Sequence, residues 1–162
     1  MIHQQGFTLI ETLVTVFLIA LLSALLLPSL QQWHHDARLS GQSRALAALF
    51  HQARGSALES GQRLRLCGSS HATGDCNHRW DVALLTDARG RVHRRLPISD
   101  DFQVRWQGLG PDLILSSNLA AARLNGAFYI CPKAPRARRA HRLVINRLGR
   151  LRRETHDARD IC

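Results

Sequence analysis

Near its end the chain reads Val144-Ile145-Asn146-Arg147-Leu148-Gly149-Arg150-Leu151-Arg152-Arg153. Four arginines around one glycine can do one defined piece of chemistry, which is to hold oxygen anions. The guanidinium is a planar fork that matches phosphate oxygens and keeps its charge at any physiological pH. Gly149 allows the backbone to turn through positive φ. Arg150 and Arg152, two apart on a strand, project from one face about 6.6 Å apart, a workable spacing for successive phosphates. Arg147 precedes the turn and Arg153 follows the pair, while Arg136, Arg138, Arg139 and Arg142 lie upstream and can join the patch. Contacts of this type grip a phosphate backbone and carry no sequence information. The plain alternative is a solvated strand face.

A second chemistry sits at the other end. From Phe7 to Leu30 the residues are almost all apolar, and Glu11 is the only ionisable one among them. About 20 apolar residues span a bilayer as a helix. A carboxylate in such a span costs on the order of 2.5–3.5 kcal/mol on insertion scales, so Glu11 needs a partner. A removable signal peptide and a plain anchor are the rival readings. A signal peptide calls for a basic start and a small-residue cleavage site; no Lys or Arg precedes this run and no A-x-A follows it.

The third set is Cys67, Cys76, Cys131 and Cys162, all beyond the apolar run. An even count in a small extracytoplasmic head reads as disulfides. Several pairings are open; the expected ones are Cys67–Cys76, by proximity, and Cys131–Cys162, which ties down the chain end. Loop entropy makes these worth roughly 2.5 and 3.5 kcal/mol before strain. Zinc is the alternative for Cys67, His71, Cys76 and His78, but the spacing fits no compact zinc template.

The elements that must position these groups follow from pattern. Pro28 falls near the end of the apolar run and is expected to kink a helix rather than end it. Leu39, Leu46, Leu49, Phe50, Ala53, Ala57 and Leu58 then recur at helical spacing, with Arg38, Arg44 and Arg54 off the stripe. Gly61 is a stop signal. A helix from Phe7 to Ser60 would be about 80 Å long. Beyond it, short runs read as strands: 63–67, 80–86 and 91–96 around the turn Asp87-Ala88-Arg89-Gly90, 102–106, 113–115, 127–131, and a closing hairpin of 142–146 and 150–154. Residues 68–77 read as a polar loop, 118–125 as ambiguous, and 132–141 as an exposed basic loop. Trp80 and Trp106 are expected in the core and Trp33 at a membrane interface.

The order is a long helix followed by six to eight antiparallel strands. Gly6-Phe7-Thr8-Leu9-Ile10-Glu11 resembles the prepilin signature of type IV pilins and type II secretion pseudopilins. The Cys67–Cys76 loop followed by Trp80, and the terminal segment 144–152, are similar to the GspH/FimT branch of that family. The resemblance implies an α+β, type IV pilin-like fold, with a long N-terminal helix, transmembrane in its first half, packed on an antiparallel β head. It implies a leader at 1–6, a transmembrane half at 7–30, an amphipathic half at 31–60 and a disulfide-stabilised head at 61–162. A prepilin peptidase would cut after Gly6, Phe7 would be methylated, and Glu11 would pair with the N-terminal amine of a neighbouring subunit. The protein would sit in the bacterial inner membrane as a single-pass chain with its head in the periplasm, and enter a pilus or pseudopilus with other pilins. The leader departs from the family in carrying only His3, and Arg38 runs against the positive-inside rule. Orientation therefore rests on the resemblance and the cysteines.

FimT-like minor pilins carry a C-terminal Gly-Arg-x-Arg motif implicated in DNA binding during natural transformation, matched here by Gly149, Arg150, Leu151 and Arg152. Of 162 residues, 22 are Lys or Arg against 12 Asp or Glu, a net charge of +10, and every one of those cations but Lys133 is Arg. That balance suits a phosphate-rich partner. The resemblance therefore implies a minor pilin that binds DNA non-specifically and supports DNA uptake and pilus assembly. The alternative is a GspH-like secretion pseudopilin or a minor pilin without DNA binding. No Ser/His/Asp set, paired carboxylates or Gly-rich phosphate loop is present, so no enzyme, catalytic residue, metal or cofactor is expected.

Overall fold

A computed structural model describes residues 8–70, 75–118, 121–134 and 137–162, and the side chains among these except 24–28. Gly6, Phe7, His71 and Arg136 lie outside the described residues, as does part of the ambiguous 118–125 segment. The elements run α1 (Leu9–Ser60), β1 (Leu64–Ser69), β2 (Val82–Asp87), β3 (Val92–Pro97), β4 (Phe102–Gly108), β5 (Leu113–Leu115), β6 (Gly126–Pro132), β7 (Arg139–Ile145), β8 (Leu151–Asp157) and α2 (Ala158–Ile161). The chain falls into two compact units, 1–36 and 37–162.

In the first unit, α1 begins with a cap. Thr8 Oγ1 accepts from the backbone N–H of Glu11 at 3.3 Å, and Glu11 lies in the first turn, where its charge complements the helix dipole. Thr8-x-x-Glu11 is thus a capping-box sequence at the helix start. Thr12, Thr15 and Ser23 turn their hydroxyls back onto carbonyls of Leu9, Thr12 and Ile19, at 2.8, 2.9 and 2.7 Å, so the few hydroxyls in this apolar run have acceptors within the helix. The apolar side chains around them are exposed: Leu9 by 82% and Trp33 by 70%. Among the described residues no helix is long and apolar enough to cross a membrane. The expected span 7–30 includes Phe7 and the side chains of 24–28, which lie outside them.

The second unit holds the core. The α1 stripe predicted from spacing is buried at Leu39, Leu46, Leu49, Phe50, Ala53 and Ala57; Leu58 departs from it and is 52% exposed. The strands form two four-stranded antiparallel sheets, ordered β3-β2-β1-β5 and β4-β6-β7-β8. Leu64, Leu66, Ala83, Leu85, Leu113 and Leu115 of the first sheet and Phe128, Ile130, Leu143 and Ile145 of the second close on the helix stripe in one cluster. Trp80 and Trp106 both meet the Phe128 ring, at centroid distances of 4.9 and 4.7 Å, so both serve packing. Trp106 also donates from Nε1 to the carbonyl of Gly110 at 2.9 Å, which satisfies its polar edge.

Cys67 is bonded to Cys76 and Cys131 to Cys162, with Cα–Cα distances of 5.6 and 5.8 Å. The second bond fastens α2 and the chain end to β6. Other sequence expectations need correction too. Strand β1 continues through Ser69, so the polar loop starts later than Gly68. Residues 139–141 are not loop: they begin β7, with Ala140 and His141 buried, because the ladder to β8 runs out to Arg139↔Asp157. Strand β8 itself extends to Asp157 and is followed by the short helix α2, capped by Asp157, whose side chain accepts from the N–H of Arg159 at 3.0 Å.

Candidate nucleic-acid interface

The β7–β8 turn is built by Asn146. Its Oδ1 accepts from the N–H groups of Leu148 at 3.0 Å and Arg150 at 2.8 Å, and its carbonyl accepts from Gly149 N at 2.9 Å. Gly149 has φ +73°, a conformation costly for any residue with a Cβ. From behind, Arg54 of α1 donates from Nη1 to the Gly149 carbonyl at 2.6 Å. A Cβ on Gly149 would come within 2.7 Å of that Nη1. So the glycine serves both the turn and the close seat of Arg54, a residue the sequence pattern placed only off the apolar stripe.

This turn leaves Arg147 and Arg150 exposed. Arg150 is not a β8 residue, as the sequence suggested; the strand begins at Leu151, and Arg150 closes the turn by pairing its carbonyl with Asn146 N at 3.1 Å. The register places Arg152 opposite Val144 and Leu151 opposite Ile145, with Arg150 just ahead of the strand. Arg153 lies opposite Leu143 and so points to the other face. Arg147, Arg150 and Arg153 form no ion pair among the described residues.

Arg152 is different. Its Nη2 is ion-paired with Glu154 Oε1, two residues along the same face. Glu154 also lies 3.6 Å from Arg142 Nη1 and 3.2 Å from His156 Nε2. The hydrogen bond from His156 holds the Glu154 carboxyl below its ordinary value; burial opposes this, and Arg152 and Arg142 add to the lowering. Glu154 thus brings an acid into a patch that the motif alone shows only as cations. It lies opposite Arg142 in the β7–β8 register, and Arg142 lies opposite Tyr129 on β6, which lies opposite Arg105 on β4. The guanidinium carbons of Arg105 and Arg142 stand 5.1 and 5.5 Å from the Tyr129 ring centre, and Arg105 also donates to the Ile161 carbonyl at 3.2 Å. A ladder of cations, ring and acid therefore crosses four strands. Of the upstream arginines, Arg142 joins this face. Arg139 opens β7, and Arg138 accepts at its carbonyl from Ala158 N at 2.8 Å. The alternating Arg105 in β4 was the only sequence signal for the far end of the ladder; Tyr129 had none.

Among the described residues no three His, Cys, Asp or Glu side chains are grouped to hold a metal ion. Glu11 is exposed on the first turn of α1.

The Prokaryotic N-terminal methylation motif matches residues 1–27, and Type II transport protein GspH matches residues 42–149. A comparison with curated proteins finds no match. Two crystal structures of the type IV minor pilin FimU from Pseudomonas aeruginosa are similar in fold. One has a TM-score of 0.51 at 16% identity, covering 72% of this chain and 92% of that one; the other has 0.54 at 16%, covering 74% and 90%. The GspH match takes in more than half of the chain, the methylation motif stands ahead of it, and the minor-pilin fold encloses it: the chain belongs to the GspH family and is a GspH/FimT-like pilin.

Proposed function

We propose that this pilin is a minor subunit of a type IV pilus that grips DNA without regard to sequence through Arg147, Arg150, Arg152 and Arg153 around the Gly149 turn, and so supports DNA uptake in natural transformation. The observation that carries the reading is the turn itself. Asn146 and Arg54 hold it in one shape, and three of its four arginines present guanidiniums with no carboxylate bound among the described residues. Phosphate contacts of this kind are individually weak and salt-sensitive, and repetition along a filament strengthens them. On this reading the leader is cut after Gly6, Phe7 is methylated, the run 7–30 crosses the inner membrane once, and Glu11 neutralises the amine of a neighbouring subunit.

The test is a titration of labelled DNA with the chain at several salt concentrations. For three or four phosphate contacts, log K falls with log salt at a slope of roughly −3. Arg150→Gln with Arg152→Gln removes most of the binding at unchanged thermal stability. Binding that survives the double change moves the site elsewhere. The second reading, a type II secretion pseudopilin, is favoured by the GspH match. No binding at low salt, together with a secretion defect on deletion, would select it.

A further inference from the structure

We propose that the β2–β3 hairpin is a second phosphate-binding prong, so that duplex DNA is held on both flanks of α1. The proposal rests on the DNA-binding reading of the β7–β8 turn and adds a site to it.

The two hairpins share one turn chemistry. In β2–β3, Asp87 Oδ1 accepts from the N–H groups of Arg89 at 2.9 Å and Arg91 at 3.0 Å, and the Asp87 carbonyl accepts from Gly90 N at 3.1 Å. Gly90 has φ +79°, against +73° for Gly149. Asp87-x-x-Gly90-Arg91 thus repeats Asn146-x-x-Gly149-Arg150 in sequence and in hydrogen bonding. Each turn ends its sheet: β3 is the edge of the first and β8 an edge of the second.

Both are loaded with arginine. Arg89, Arg91, Arg94 and Arg95 are all exposed on the β2–β3 hairpin. Arg91 is held by Asp87, Nε to Oδ2 at 2.8 Å. Arg89, Arg94 and Arg95 form no ion pair among the described residues. By register Arg94 lies opposite Leu85 and Arg95 opposite Leu84, so the two project to opposite faces of the edge strand.

The helix sets the two prongs apart. Arg54 reaches the Gly149 carbonyl. Arg94 and His93 instead border a cleft of about 660 Å³ whose helix wall includes Gln52, Ser56 and Glu59. At about 100° per residue, positions 52, 56 and 59 lie on roughly the opposite side of α1 from position 54. A helix with side chains is about 10–12 Å across, the same order as the ~12 Å major groove of B-DNA. Two arginine sets on opposite sides of such a helix can each meet a different strand of a duplex. Among the described residues Glu59 is the single acid on the cleft wall, and it stands against the attraction.

The experiment uses the full chain in non-ionic detergent with a fluorescein-labelled, random-sequence duplex, followed by anisotropy across a salt series. Arg94→Gln with Arg95→Gln is expected to weaken binding several-fold at low salt. It should also flatten the log K–log salt slope by about 1.8, or 0.9 for each of two phosphates no longer neutralised. Arg38→Gln with Arg44→Gln, the same charge change further up α1, should leave the slope within error of the parent. A parent slope in the Arg94/Arg95 variant, with binding still abolished on changing Arg150 and Arg152, overturns the second prong and leaves the first intact. Equal flattening by the Arg38/Arg44 control also overturns it, as a bulk charge effect. Absence of any duplex binding by the parent chain removes the underlying reading instead.

Discussion

At the scale of single residues, Glu154 decides how available Arg152 is. The carboxylate occupies the place beside the guanidinium that a phosphate oxygen would take, so on the proposed reading a bound phosphate would have to displace it. Glu154→Gln removes the competing charge, and binding should tighten about two- to fivefold, the worth of an exposed ion pair. A variant that binds no better than the parent shows that Arg152 is not part of the grip. The pH dependence follows from the same contact. Because the hydrogen bond from His156 and the two arginines hold the Glu154 carboxyl below its ordinary value, the protonation that would release Arg152 comes at a lower pH than for an unperturbed glutamate. Asp87 behaves alike in the other turn. Burial raises its pKa, but the Arg91 N–H and guanidinium and the Arg89 N–H outweigh this and hold it at about 2. Its contribution to stability is present above its ordinary value near 3.8 and is lost as pH falls toward 2. Asp87→Asn keeps the Oδ1 acceptor, as Asn146 does by nature, and should remove that loss from an acid-unfolding curve while retaining the hairpin.

At the scale of elements, the β7–β8 hairpin depends on Gly149. Gly149→Ala forces a Cβ into the left-handed region at a cost of about 1–2 kcal/mol and also drives Arg54 from its seat. Thermal unfolding should show a lowered Tm, and DNA binding should fall with it; an unchanged Tm would mean the turn has another conformation open to it. The helix stripe is the other support. Phe50→Ala, at a fully buried position, is expected to cost about 3–5 kcal/mol. These elements were legible in the sequence where periodicity is local: the α1 stripe, the Asp87–Gly90 turn, and strands that alternate. Legibility failed where a distant partner decides. Arg139 to His141 look like loop beside Pro132 and their neighbouring cations, yet pairing with β8 makes them strand. Four residues of α2 carry no period. Glu154 reaches Arg142 only through the strand register, and Arg54 reaches Gly149 only through packing, so neither contact can be read from spacing along the chain. Leu58 fits the stripe by spacing and is exposed all the same, although its neighbour Ala57 is buried.

At the scale of the whole molecule, the two ends of the chain answer to different surroundings. Residues 37–162 bury a continuous core and close it with two disulfides. Residues 9–22 instead expose nearly every apolar side chain, which calls for lipid or sister helices around them. On the proposed reading the exposed Glu11 carboxylate takes a cation in either environment, and the amine of a processed neighbour is the one that assembly would bring. Glu11→Gln removes that need without removing a large apolar group. The variant should therefore reach the membrane at parental level, or above it as the insertion cost falls, and should be depleted from sheared filaments. Glu11→Asp, which keeps the charge on a shorter stem, should recover part of the incorporation. Equal incorporation of the Gln variant and the parent would show that assembly does not need the Glu11 charge, and the case for charge pairing between subunits would fall.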